Sequence, residues 1–250
     1  WEDASKLVAS VDVTFVEAIK SDDAAVANML TLAEMELKYS ETATPTPLPE
    51  KPEEPEVPEQ KEEVCKVFSD VKHGEWYEEA VQYVYDNGIM NGNNNKFNPT
   101  AAIKREQVVA TLFNMEADKT VTDYTAVDEL KDVKAGQWYT DAVCWAYNTG
   151  VAKGNPNTKL FSVGKPITRE QLVVMLHNYS VMKGYDVSAS ADYSALGGAK
   201  DVSDYAEAPM AWAYGIEMIG GNGNLNPKGE TTRAQMASMM KQFAENVVQK

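Results

Sequence analysis

Three arginines stand at even intervals in the chain, and each begins a stretch with helical spacing. Arg105, Arg169 and Arg233 are separated by 64 and again by 64 residues. A cation beside the free N–H groups of a helix start is electrostatically unfavourable unless an anion compensates it. A carboxylate there would accept charge-assisted hydrogen bonds from the guanidinium and from the backbone. The pattern therefore indicates either a repeated site for an anionic ligand or a repeated internal ion pair, with Asp70 and Asp132 as candidate partners.

A threonine precedes the arginine in two of the three copies. Thr168 and Thr232 each stand three residues before a glutamine, which is the spacing of a reciprocal capping box. Such a cap contributes about 0.5–2 kcal/mol, so helix capping alone could explain both threonines. In the first copy Lys104 replaces the threonine, and we expect that helix to fray or to take its cap from Thr100.

Aromatic residues and glycines recur in the same units. Trp76, Trp138 and Tyr205 stand before the first helix of each unit, where a ring could stack on a sugar face. We expect the tryptophans to belong to the core with one exposed edge. Glycines would let the backbone approach a ligand closely, although turn formation explains them equally well. The loop residues in question are Gly92, Gly154, Gly221, Asn155 and Asn222.

The sequence contains no pattern typical of catalysis or of metal binding. Cys65 and Cys144 have no metal-ligand spacing, and two independent thiols are favoured over a disulfide between them. His73 and His177 lie far apart in the repeat pattern, and the Asn-rich loops lack the acidic ligands of an EF-hand. A nucleophile elbow, a phosphate loop and a zinc helix are all missing. We therefore expect no enzyme activity, no cofactor and no metal.

Three similar units position these residues. Each is predicted to be a helix, a loop and a helix, with at most a short extended segment before the first helix. In the first unit Val81 and Val84 lie on the buried face of a helix that ends at Gly88, and Val109 and Leu112 mark the next helix. One unit cannot bury its apolar face alone, so we expect the units to pack around a shared axis with similar grooves between neighbours. The units span about residues 66–118, 128–184 and 194–250.

The first 64 residues have a different character. Residues 1–40 are predicted to form a short helical segment, the tail of a preceding domain or a pair of helices that docks on a surface-protein partner. Residues 41–64 are rich in proline and glutamate and are expected to form an extended, solvated linker that could carry O-linked sugar. The repeats then form one domain over residues 65–250.

Composition excludes some functions. The 250 residues carry a formal net charge of −15, which argues against nucleic acid as the main partner, since phosphate binding needs clustered Lys and Arg. No apolar run is long enough to span a bilayer. The chain begins at Trp1 without a signal peptide, so we expect a mature or excised fragment of an exported protein.

The repeated pattern Phe-x-Asp-Val, Trp, Ala, Gly-Ile-x-x-Gly, Phe-x-Pro and Ile-Thr-Arg resembles the S-layer homology repeat over about residues 66–248. The resemblance implies an all-α, pseudo-threefold bundle that anchors a secreted protein to the wall of a Gram-positive cell. It also implies that the grooves between repeats bind secondary cell-wall polysaccharide, often pyruvylated, which is attached to peptidoglycan. The expected location is extracellular, at the cell wall or S-layer.

The family's Ile-Thr-Arg-Ala-Glu motif is only partly kept. All three copies retain the arginine, but the final Glu is Gln in each copy, and Glu217 stands where Gly88 and Gly150 end the first helix. In the third unit either Asp201 or Gly198 could match the aspartate of the other repeats. The resemblance implies binding by the arginines, with aromatic and glycine support from the adjacent repeat. Replacing Arg169 or Arg233 with Ala should then weaken wall binding with little loss of thermal stability. The alternative is a protein-interaction or assembly module of the cell surface.

Overall fold

The computed structural model describes residues 63–220 and 222–248. The predicted helical segment 1–40, almost all of the linker 41–64 and the predicted ligand-binding Gly221 lie outside the described residues. Within the described part the fold is all-α, with eight α-helices and no β-strand. None of these helices combines the length and the apolar character needed to cross a membrane.

Each repeat contributes two main helices, as the sequence predicts. The first repeat contains α1 (Val64–Val67), α2 (Glu78–Asp86) and α3 (Arg105–Asn114). The second contains α4 (Thr125–Glu129), α5 (Thr140–Thr149) and α6 (Arg169–Lys183). The third contains two 3-10 turns (Ala199–Asp201 and Asp204–Ala206), α7 (Glu207–Gly215), α8 (Arg233–Phe243) and a final π-helical turn (Ala244–Val248). The one-turn helices α1 and α4 occupy the place where at most an extended segment was expected.

The helices pair between repeats. Helix α3 packs on α5, α6 packs on α7, and α8 packs on α2, so each second helix lies against the first helix of the next repeat. The pairing is cyclic, because the third repeat packs on the first in the same way. The three repeats share one continuous apolar core. Trp145 and Trp212 are buried in that core, as predicted. A single repeat could not bury these faces, which agrees with the behaviour of other repeat architectures.

Three backbone hydrogen bonds form a closed ring where the repeats meet. The N–H of Ile103 donates to the carbonyl of Thr231 at 2.8 Å, the N–H of Thr231 donates to Ile167 at 3.0 Å, and the N–H of Ile167 donates to Ile103 at 3.1 Å. All three residues are fully buried. We call this ring the hub. It holds the start of each second helix against the other two repeats.

The hub also places the three arginines. The N–H of Arg105 donates to the carbonyl of Lys165 at 3.0 Å, and the equivalent N–H groups of Arg169 and Arg233 donate to the repeat beyond at 3.0 and 2.9 Å. A free donor of each helix start is thus satisfied by another repeat. Every arginine side chain therefore emerges at a junction between repeats.

The helix caps follow the sequence in two repeats. Thr168 and Thr232 both form the predicted capping box with the glutamine three residues on. At Lys104 only half of the box remains, because the Lys104 N–H donates to the Gln107 side chain at 2.9 Å while a lysine ammonium cannot accept a bond. The N–H of Gln107 donates instead to the Lys104 carbonyl at 3.0 Å. Of the two expectations, fraying or a cap from Thr100, the second is not met, because the N-cap is Lys104 and Thr100 makes no hydrogen bond to this helix start among the described residues.

Two departures in the third repeat have clear structural consequences. Glu217 adopts the left-handed conformation, with φ of 60°, that Gly88 and Gly150 adopt in the other repeats. A side chain at such a φ is strained, because Cβ crowds the backbone. In the hub, Thr231 stands where the other repeats have isoleucine, and its buried hydroxyl has no hydrogen-bond partner among the described residues.

We expect Thr231→Val to raise the free energy of unfolding by about 1 kcal/mol, because valine keeps the shape and removes an unpaired buried hydroxyl. Urea denaturation followed by circular dichroism measures the change. Thr140→Val is the matched control. Thr140 is also buried, but its hydroxyl donates to the Lys134 carbonyl and accepts from the Gln137 N–H, so this change should cost about 1–3 kcal/mol. A loss of stability in both variants would contradict the prediction.

Candidate functional site

A groove beside the second repeat is built from all three repeats. Its wall is helix α6 and its floor is the loop 151–156, while Arg105 enters from the first repeat and Tyr205 from the third. The cavity measures about 640 Å³. We call it groove II. Its size is within the range of small-molecule and sugar-sized sites.

A smaller groove beside the first repeat is built from equivalent parts, each contributed by the repeat one place earlier in the cyclic order. Helix α3 and residues 89–91 form it, Arg233 enters from the third repeat, and Trp138 enters from the second. This groove I measures about 170 Å³. The pseudo-threefold relation between the repeats then assigns Arg169 and Trp76 to the third junction, which we call groove III.

Groove II is basic although the chain as a whole is acidic. Arg105, Lys153 and Lys165 line it, and no carboxylate is among the described residues that line it. The chain carries a net charge of −15, so three clustered cations are a local exception. Such a concave basic surface concentrates anions.

Arg105 has unused hydrogen-bonding capacity. Its guanidinium is half-buried and lies over the Phe161 ring, 5.0 Å from the ring centre. No described residue accepts a hydrogen bond from this guanidinium or forms an ion pair with it. Burial lowers the pKa of Arg105, while the nearby Tyr205 and Asp132 act in the opposite direction. The group stays protonated at neutral pH, so groove II contains a partly desolvated cation with free donors.

The other two arginines differ from Arg105. The Arg233 Nε donates to the Phe97 carbonyl at 2.6 Å and its Nη2 donates to the Asn91 carbonyl at 2.7 Å. Its guanidinium also lies over the Phe97 ring at 4.7 Å. At Arg169 the stacking partner is missing, since Leu225 replaces the phenylalanine of the other repeats. Burial lowers the pKa of Arg169 as well.

The internal ion pair considered from the sequence is not formed. Asp132 accepts the N–H groups of three consecutive loop residues, starting at Phe161, at 2.7, 2.7 and 2.9 Å. Asp70 accepts the N–H groups of Phe97 and Asn98, both at 2.8 Å. The carboxylates therefore shape the loops beneath the arginines. Two of the three arginines keep an acid in their electrostatic surroundings but not in contact.

In the third repeat the alignment left open by the sequence is resolved. The N–H of Gly197 donates to Gly223 at 3.0 Å, as Ser69 donates to Asn95 and Lys131 to Lys159 in the other repeats. Gly198 therefore occupies the aspartate position. Arg169 therefore lacks the nearby aspartate that Arg105 has in Asp132 and Arg233 has in Asp70.

The tryptophans were predicted to be core residues, and this is wrong. Trp76 and Trp138 are 64% and 66% exposed, and Tyr205 is 56% exposed. The tyrosine that follows each tryptophan in the sequence, Tyr77 or Tyr139, is buried instead. The tryptophan stands edge-on to that tyrosine, at 5.4 and 5.6 Å between ring centres. The exposed rings are thus free to contact a ligand.

The loop glycines and asparagines have structural roles. A side chain at Gly92 would overlap the Phe68 ring, and one at Gly154 would meet the Leu160 carbonyl at 2.8 Å. The Asn155 side chain accepts two N–H groups of its own loop, and that of Asn222 accepts the Asn224 N–H at 3.1 Å. Turn formation therefore accounts for these four residues. Gly154, Asn155 and Thr168 nevertheless line groove II.

Sequence reasoning missed Glu170. This buried carboxylate accepts hydrogen bonds from Lys228 Nζ at 2.7 Å, from the N–H and hydroxyl of Ser203 at 3.1 Å, and from the Tyr205 hydroxyl at 3.0 Å. Burial raises the pKa of Glu170, but these hydrogen bonds outweigh it and lower the pKa below its ordinary value. The sequence holds no local signal for it, because its partners lie 33 to 58 residues away along the chain.

Comparison with known proteins finds a family whose repeats match all three units of this chain. The S-layer homology domain matches residues 67–109, 129–173 and 199–237. The chain belongs to the S-layer homology family. Domains of this family anchor proteins to the cell wall, which indicates a location at the cell surface. The matched region is non-catalytic.

Relatives carry the S-layer homology domain in proteins of different kinds. The chain is 31% identical over 68% of its length to "Surface-layer 125 kDa protein" of Lysinibacillus sphaericus and 26% identical over 70% to "S-layer protein EA1" of Bacillus anthracis. It is 26% identical over 71% to "Amylopullulanase" of Thermoanaerobacterium thermosulfurigenes. The aligned part covers 14%, 20% and 9% of these relatives, respectively.

We expect Glu170→Gln to lower the free energy of unfolding by about 1.5–3 kcal/mol at pH 7, because it weakens several bonds to a charged acceptor. The pKa of Glu170 is lower in the folded state, so its contribution is present above the unfolded value of about 4.3 and is lost as the pH falls through the folded value. The difference in the free energy of unfolding between wild type and Glu170→Gln should therefore disappear in acid. Urea denaturation at pH 7 and in acid measures it.

Glu106→Gln is the matched control for that measurement. Glu106 is equally buried, but its Oε2 accepts the Gly164 N–H at 2.8 Å, a bond that an amide oxygen can keep. Glu106→Gln should therefore lower the free energy of unfolding by less than Glu170→Gln does. A gap for Glu170→Gln that does not change with pH would contradict the assignment.

Proposed function

We propose that this domain anchors its protein by binding an anionic secondary cell-wall polysaccharide in the grooves between repeats, and that a carboxylate on the sugar, such as a pyruvyl ketal, meets the groove arginine. The observation that carries the proposal is the Arg105 guanidinium, half-buried in a basic groove without an acceptor among the described residues. A carboxylate in groove II would supply those acceptors, and Lys153 and Lys165 would complement its charge.

The exposed aromatic residue of each groove supports a sugar ligand. Tyr205 faces groove II, and Trp138 faces groove I. A ring that presents one face to solvent can cover the apolar face of a sugar ring. The Tyr205 hydroxyl is already held by Glu170 at 3.0 Å, so this ring is fixed in orientation before the ligand binds. Pre-organisation of this kind reduces the entropy cost of binding.

We infer that the three grooves contribute unequally, with groove II the main one. The donors of Arg233 in groove I are partly used by the Asn91 and Phe97 carbonyls, and that groove is smaller. The same bonds change the expectation for Arg233→Ala, which should lower thermal stability as well as binding. Arg169 lacks both the ring and the acid that lie near Arg105, so no ring contact, hydrogen bond or ion pair among the described residues holds its guanidinium in position for a ligand.

Arg105→Ala should weaken binding about 10- to 100-fold, the value expected for loss of hydrogen bonds to a charged group, with little change in melting temperature. The measurement is calorimetry against purified wall polysaccharide that carries pyruvyl ketals. Removal of the ketals should weaken wild-type binding by a similar factor, and added salt should weaken it further. Lys119→Ala, which removes the same charge at an exposed position outside both grooves, should leave affinity nearly unchanged.

Two results would overturn the proposal. One is full wall binding by a folded protein in which Arg105, Arg169 and Arg233 are all alanine. The other is concentration-dependent assembly without any glycan, measured by sedimentation, together with no heat of binding to the polysaccharide. The second result would favour the alternative, a protein-interaction or assembly module.

A further inference from the structure

A cluster of three possible metal ligands lies outside the grooves, where the chain enters the first repeat. Cys65 is on α1, His73 is in the loop that follows, and Glu78 begins α2. One ligand atom from each residue lies within 4.8 Å of the other two. The sequence did not indicate this site, because its spacing matches no common metal motif and only the α1–α2 turn brings the three together. We propose that Cys65, His73 and Glu78 bind a zinc ion.

The donor set favours zinc over the harder cations. A thiolate, an imidazole and a carboxylate are the three ligand types that zinc takes in proteins, whereas calcium and magnesium prefer oxygen alone. His73 Nδ1 and Glu78 Oε1 are 3.0 Å apart. Two such ligands on one tetrahedral zinc ion are about 3.3–3.5 Å apart, from bond lengths of about 2.0–2.2 Å. The ion can therefore replace the hydrogen that now links them with only a small movement.

The surroundings of the cluster suit a metal ligand set. Glu78 Oε2 accepts the Gly74 N–H at 2.7 Å, which orients the carboxylate and directs Oε1 toward His73. The His73 side chain is 89% exposed, so it can rotate toward Cys65. Glu63 Oε2 lies 3.9 Å from Cys65 Sγ but is paired with Lys66 Nζ at 3.0 Å. A water molecule would therefore complete four-coordination.

Comparison of the repeats shows that the turn itself does not require these residues. In the second repeat the matching positions hold Val127, Ala135 and Thr140. The Thr140 hydroxyl closes the same turn by bonding the Lys134 carbonyl and the Gln137 N–H. A histidine and a cysteine are therefore not needed for the fold, and the donor set occurs only at the first repeat among the described residues. A bound ion would tie α1 to the start of α2 at the point where the N-terminal part of the chain joins the domain.

The test is a titration of the whole, reduced chain with Co²⁺, which takes zinc-type sites and gives a thiolate-to-cobalt charge-transfer absorption. We expect this absorption to saturate at one equivalent and to vanish when Zn²⁺ is added. Cys65→Ser should abolish it, and His73→Gln should weaken Co²⁺ binding at least about tenfold. Zn²⁺ should raise the melting temperature of the wild type but not that of Cys65→Ser.

His177→Gln is the control, because His177 packs against Trp212, at 5.2 Å between ring centres, in the α6–α7 pair rather than at the cluster. Its Co²⁺ titration should match the wild type. The proposal is overturned if the wild type shows no charge-transfer absorption, or if Cys65→Ser, folded by circular dichroism, keeps it. It is also overturned if Zn²⁺ stabilises wild type and Cys65→Ser equally, since the ion would then bind to acidic surface groups elsewhere.

Discussion

The closed ring of backbone hydrogen bonds between Ile103, Thr231 and Ile167 is the constraint on which the rest of the structure depends. Because each N–H in the ring donates to a different repeat, no repeat can complete its own helix start. The residue two places after each ring member is an arginine, and its N–H also donates to another repeat. The ring therefore places a guanidinium at every junction between repeats. The grooves are a geometric consequence of this closure rather than separate features of each unit.

The electrostatics of the grooves depend on where the nearby acids are used. Asp132 could have neutralised Arg105, but all of its hydrogen bonds in the described structure go to the backbone of the loop below. The loop gains a defined shape, and the arginine keeps its donors. Partial burial of a cation without an ion-pair partner costs free energy, and stacking of the guanidinium on the Phe161 ring offsets part of that cost. Local conflicts of this kind are expected at functional positions in an otherwise consistent fold.

Much of the fold could be predicted from the sequence because its signals are local. Periodicity located the main helices, and the Thr168 capping box follows from four consecutive residues. The exposure of Trp76 could not be predicted, because it stands next to Tyr77 in a turn, where no helical period indicates which ring is buried. The role of Asp132 depends on N–H groups about 30 residues away, and only tertiary structure brings them together. The network around Glu170 joins two repeats and was invisible for the same reason.

The third repeat shows how much the grooves can diverge while the closure is kept. Gly198 replaces an aspartate, Leu225 replaces the phenylalanine beneath an arginine, and Thr231 replaces a hub isoleucine, yet the backbone ring remains closed because it needs only N–H and carbonyl groups. Each groove takes its parts from more than one repeat, so substitutions in this single repeat reach more than one groove. Tyr205 changes groove II, whereas Gly198 and Leu225 remove the acid and the ring near Arg169, and groove I keeps the residues of the other repeats. One degenerate repeat is therefore enough to make three similar junctions chemically different, which is how a symmetric fold can acquire a preferred groove.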